Sequence, residues 1–177
     1  MQRANAMLKL LGASAVLLSG TLIGMRMAGR FAKRPLQIRQ LRMGLQILET
    51  EIVYGSTPLH LALHSISRRV QGDVARLFAR TSEMLEEQAD TTEECWRKAV
   101  NEVWPATALK EPEKEVLLHL GGILGRSDRE DQQKHLKLTV INLQSEENNA
   151  RDSQKKYEKV CKSLGILGGL LIVILLY

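Results

Sequence analysis

Apolar residues recur every three or four positions through the middle of this chain, and at both ends the charged positions between them disappear. From Leu36 to Tyr54 the stripe is Ile38, Leu41, Leu45, Leu48 and Ile52, the spacing of one helix face. Gly55 ends that helix, Thr57 is placed to cap the next, and Pro58 suits its first position, where a missing N–H costs nothing. Leu59, Leu63, Ile66 and Val70 form the second stripe, closed by Gly72, and a third helix is expected from about Asp73 to Gln88 on Val74, Leu77, Phe78 and Leu85. Thr91 and Glu94 fit a capping box ahead of Trp96, Ala99, Val100 and Val103, with Pro105 ending the turn. A fifth helix is expected from Pro112 to near Gly125. Asp128 is placed to cap a last helix that meets no breaker up to Tyr177. Its seam, Leu136, Val140, Leu143, Ala150, Tyr157, Cys161 and Leu164, keeps heptad spacing, with Glu147 and Gln154 at two seam positions. One reading is simply a long bundle helix that runs on into the membrane; a sharper one is that those two mark where it leaves the bundle for water or a partner. No β-alternation of useful length occurs, so the fold class is all-α, a bundle of about six helices.

The ends change the picture. Leu10–Met25 and Leu164–Tyr177 carry no charge and give about 24 Å and about 21 Å of helix, against a hydrocarbon layer of about 30 Å. Snorkelling of Lys9, Arg26, Lys159 and Lys162 extends both, so each is expected to span, the last bundle helix running on into the C-terminal anchor. The expected organisation is a tail at 1–6, a transmembrane helix at 7–31, a helical bundle at 35–162 and a second transmembrane segment at 163–177. Arg26, Arg30, Lys33, Arg34, Arg39 and Arg42 follow the first segment, and Lys155, Lys156, Lys159 and Lys162 precede the second. By the positive-inside rule the middle is cytosolic and both termini lie on the far side.

These collars account for much of the net charge of +5. They read as contacts to anionic lipid rather than to nucleic acid, and with aromatics at 4% there is little for bases to stack on. Gly20 with Gly24, and Gly165 with Gly169, stand four apart, where small residues let membrane helices approach closely.

Catalytic signatures are missing from the sequence. It holds no phosphate-binding Gly-rich loop with Lys-Ser or Lys-Thr, no Gly-x-Ser-x-Gly elbow, no His-Glu-x-x-His pair and no dinucleotide fingerprint. His60 and His64 share a helix face, yet two ligands without a nearby acid make a poor metal site. His119 and His135 are the other candidates for a metal-dependent enzyme. Glu49 and Glu51, two apart, face different sides of their helix and form no dyad. Cys95 and Cys161 match neither a metal spacing nor a disulfide framework. The expectation is a non-enzymatic protein without cofactor or metal.

The stretch from Arg34 to Leu63, RPLQIRQLRMGLQILETEIVYGSTPLHLAL, resembles the stage III sporulation protein AB family of endospore-forming bacteria. Arg34-Pro35, the Gln37–Leu41 run and Tyr54-Gly55 with Thr57-Pro58-Leu59 carry the likeness, and Leu117–Leu124, Gln132–Leu138 and Lys162–Leu176 continue it. The resemblance implies a fold like the cytosolic helical domain of the inner-membrane platform protein of type II secretion and type IV pilus machines. It implies a place in the mother-cell membrane facing the forespore, in a channel complex built with other products of the same operon. A stage III sporulation protein AA-type ATPase is the implied cytosolic partner. Within this reading the polar face of the first helix and its turn, with Arg39, Arg42, Glu49, Glu51 and Tyr54, is expected to form part of the ATPase contact. Gly55, Thr57 and Pro58 are expected to shape the turn. The competing expectation is a membrane-shaping structural protein that acts through its basic collars without an ATPase.

Overall fold

The computed structural model describes residue 29 and residues 32–55, 57–88, 90–124 and 128–176, without the side chains of 158, 159, 161, 162 and 164–176. Its helices are α1 (32–54), α2 (Leu59–Ser67), α3 (Gly72–Glu86), α4 (Thr92–Val103), α5 (Glu111–Gly121) and α6 (Arg129–Leu176), with a 3-10 turn at Trp104–Ala106. Among the described residues there is no strand, as the alternation pattern required. The chain divides into two compact units, Lys33–Ala150 and, separately, Met1–Ala32 with Arg151–Tyr177.

Within Lys33–Ala150, consecutive helices pack on one another, α2 on α3, α3 on α4 and α4 on α5. The core is built largely from the stripes read from sequence, joined by Leu117 and Leu120 of α5, while the seam residue Tyr157 is exposed. Ile38, Leu41, Leu45 and Leu48 of α1 are fully buried, as are Leu63 and Ile66, Phe78, Trp96 and Ala99, Leu117 and Leu120, and Leu136 and Leu143. Trp96 sets the contact between α4 and α5. Its indole N–H donates to the Leu117 carbonyl at 2.7 Å, and its ring meets Phe78 edge-on with centroids 6.0 Å apart. Gly44 of α1 faces the same Phe78: a Cβ built there would sit 2.6 Å from the ring, so α1 and α3 approach as closely as they do because position 44 has no side chain.

Several helix ends follow the expected chemistry. The Thr91 hydroxyl accepts from Glu94 N at 3.3 Å, and the Asp128 carboxylate accepts from Asp131 N at 2.8 Å. Others differ. Thr57 does not cap α2: its hydroxyl donates to Glu51 Oε2 at 3.2 Å, Pro58 occupies the cap, and α2 begins at Leu59. Gly72 opens α3 instead of closing α2, with φ at +65°, a conformation that glycine adopts at no steric cost.

α6 is one helix of 48 residues, about 72 Å at the usual rise. Among the described residues no helix is long and apolar enough to cross a membrane. The segment expected to cross first, 7–31, lies outside the described residues except at position 29, and so do the side chains of the second, 163–177, except that of Ser163.

Candidate functional site

α1 carries polar side chains that tie it to most of its neighbours. Arg34, next to the buried Pro35 at the start of the helix, turns inward: its Nε donates to Glu113 Oε1 at 3.0 Å, and its Nη2 donates to that same oxygen and to Glu146 Oε2 at 2.9 Å. Glu113 is completely buried, and its second oxygen accepts from the backbone N–H of Lys110 at 2.6 Å, closing the N-terminus of α5. One and two turns further along α1, the Gln37 amide oxygen accepts from Ala108 N at 2.7 Å while its NH2 group donates to Asp73 at 3.0 Å, and Gln40 accepts from Gln71 N at 3.2 Å.

Arg42 pairs through Nη1 with Glu147 of α6, whose side chain is 1% exposed, while Arg42 Nε is buried without a hydrogen-bond partner. At the far end of α1, Glu49 accepts from Gln133 Nε2 at 3.4 Å and lies 3.7 Å from Lys137 Nζ. These pairings run in opposite directions along the two helices, 34 with 146 and 49 with 133 and 137, so α1 and α6 are antiparallel. Buried pairs of this kind contribute little net stability, because each charge has lost its water, but removing one partner leaves the other uncompensated.

This arrangement corrects two expectations. Arg34 and Arg42 are not lipid collars, since each is drawn into the protein by a carboxylate that lies 79 to 112 residues later in the chain. Glu147 does not itself meet water, since it is buried and paired with Arg42, although the compact unit ends at Ala150, one turn beyond it.

The residues expected to contact a partner separate accordingly. Arg42 and Glu49 belong to the internal seam. Glu51 is half-buried at the turn, where its backbone carbonyl accepts from Gly55 N at 2.8 Å and its carboxylate from Thr57. Arg39 is exposed, and Tyr54 is 86% exposed. Gly20 and Gly24 lie outside the described residues; Gly165 and Gly169 fall within α6, where the side chains around them are also outside.

Among the described residues, no catalytic constellation gathers around these groups. His119 and His135 meet edge-on with ring centroids 6.1 Å apart, and His135 Nε2 lies 4.0 Å from Asp131. Among the described residues, no three His, Cys, Asp or Glu side chains converge as metal ligands would, and His60 and His64 gain no third partner. Cys95 is fully buried, and that burial pushes its thiol pKa up, away from reactivity. A small apolar cleft lined by Leu41, Val74, Leu77 and Val103 has room for about one water molecule.

Sequence reading missed Arg34, Gln37, Glu113 and Gly44 as organising residues. Glu113 carried a signal, since an acid at the third helical position reaches back to close a helix start. Glu147, a charge on an otherwise apolar heptad seam, carried another.

Comparison with known proteins agrees with this architecture. Residues 9–177 match the family model for stage III sporulation protein AB. Stage III sporulation protein AB of Bacillus subtilis (strain 168) is 45% identical over 170 residues, covering 96% of this chain and 99% of that one. A solved structure of stage III sporulation protein AB superposes with a TM-score of 0.67 at 42% identity, covering 70% of this chain and 98% of its own. The chain, an all-α protein organised around an ion-paired α1–α6 seam, belongs to the stage III sporulation protein AB family.

Proposed function

We propose that this sporulation protein is a non-enzymatic platform, anchored in the mother-cell membrane facing the forespore, that docks a soluble AA-type ATPase. The observation that carries the proposal is the seam. α1 and α6 are the helices that adjoin the two apolar ends of the sequence, and they are the ones joined by Arg34–Glu113–Glu146 and Arg42–Glu147. Sliding one helix along the other would strip buried charges of their partners, which is costly, so the seam resists displacement. A platform that receives position or force from a soluble engine needs that resistance between its attachment points.

The test is co-elution of the full-length chain with the purified ATPase, paired with counts of heat-resistant spores from cells carrying seam variants. A stable complex, and a sporulation defect for Arg34→Met with protein levels maintained, are the expected results. A chain that never binds the ATPase in membrane or detergent would remove the docking role.

A further inference from the structure

Over residues 33–48 of α1 and 132–145 of α6 the sequence contains no Asp or Glu. These two stretches lie side by side. The pairings of Arg42 with Glu147 and of Glu49 with Gln133 and Lys137 fix α6 on one flank of α1 and bring Met43 and Ile141 to a similar level. At about 100° per residue, Arg39, Met43 and Gln46 lie just beyond that flank, away from the core stripe. On α6, Lys134, Leu138 and Ile141 occupy the corresponding arc beyond Lys137.

All six are exposed, Leu138 at 46% and Ile141 at 63%. Among the described residues, Arg39 and Lys134 have no ion pair. The α1–α6 pair therefore presents an outer face of cations and large apolar side chains, laid over a rigid, ion-paired seam. Interfaces are rich in Met and Arg and draw on charge complementarity for specificity, and this face combines a cluster of exposed Met43, Leu138 and Ile141 with the unpaired Arg39 and Lys134.

We propose that this face docks an acidic amphipathic helix of a soluble partner, its apolar side on Met43, Leu138 and Ile141 and its carboxylates on Arg39 and Lys134. Two antiparallel helices leave a shallow trough between their outer ridges, and a third helix laid there buries apolar area at low cost in ordering. The inference rests on the platform reading only for which protein carries the helix; the chemistry follows from the face.

The test uses the full-length chain in nanodiscs of neutral lipid and a labelled synthetic helix of Leu and Glu, with its Leu and Lys counterpart and empty nanodiscs as controls. The Glu helix is expected to bind, and the Arg39→Glu, Lys134→Glu double variant to weaken it at least tenfold. Glu86→Lys with Glu87→Lys, exposed acids at the end of α3 and beyond, is expected to leave binding unchanged. Absence of Glu-helix binding, or equal binding to the double variant, overturns the proposal. Charge-sensitive binding of anionic vesicles without any binding of the Glu helix also overturns it, in favour of a lipid contact. The ATPase, run on the same variants, separates the two readings: ATPase binding that ignores the double variant removes this face but leaves the platform, and Glu-helix binding without ATPase binding does the reverse.

Discussion

The two sides of the bundle are held by different means. Around α3, α4 and α5 the contacts are apolar and shape-dependent, with Phe78 against Trp96 and Gly44 making room for the ring. Along α1 and α6 the stripe of leucines is overlaid by partly buried ion pairs, in which Glu113 of α5 and Glu147 are all but unexposed. An apolar contact tolerates small shifts, while a buried ion pair accepts one geometry and penalises others. The difference assigns cohesion to one side and alignment to the other.

Mutations sharpen that contrast. Trp96→Ala should have the largest effect, about 3–5 kcal/mol in chemical denaturation, because it opens a cavity and releases the bond to Leu117. No second substitution of an apolar neighbour should recover it. Arg34→Met should cost a similar amount, about 3–5 kcal/mol, by leaving Glu113 buried without its cation. Here a second change does help: Arg34→Met with Glu113→Met should recover at least half of the loss, and a double variant as unstable as the single would show that alignment is not what the pair supplies.

Gly44→Ala should cost about 1–3 kcal/mol by overpacking the ring, with Phe78→Leu relieving part of it. The smallest effect belongs to the surface. The Lys98 ammonium, 2.5 Å from Asp90, holds that carboxyl below the ordinary carboxylate range. A lowered folded pKa adds stability that is present above the unfolded value of about 3.9 and is lost as pH falls through the folded one. The stability gap between the wild type and Lys98→Met should therefore narrow as denaturation is repeated from neutral pH down to the acid limb.

The same contrast explains what could be read from the chain. The apolar stripes were legible: Ile38, Leu41, Leu45 and Leu48 are all core residues, and Asp128 caps where local chemistry required. The seam was not. Arg34 and Arg42 follow an apolar segment in a run of cations, and by local pattern they belong to the membrane surface. Their carboxylates stand more than 75 residues away in sequence, beyond any periodicity. Thr57 shows the same limit at short range, since a hydroxyl with two possible partners took Glu51 rather than the next helix. Of the expected partner contact, Arg39 and Tyr54 are exposed polar positions, but the apolar residues of α6 that share the outer face with Arg39 could not be foreseen.

The order of helices has a consequence for how the protein comes to exist. Four of the helices find neighbours next to them in sequence, which is the kind of contact that forms early and quickly. α1 is completed late: it is made before the other described helices, yet the carboxylates that neutralise Arg34 and Arg42, Glu113 of α5 and Glu146 and Glu147 of α6, follow 79 to 112 residues later. Until then its leucine stripe is uncovered on that flank and its arginines stay hydrated, so the last helix acts as a latch that completes a structure whose other parts are already assembled.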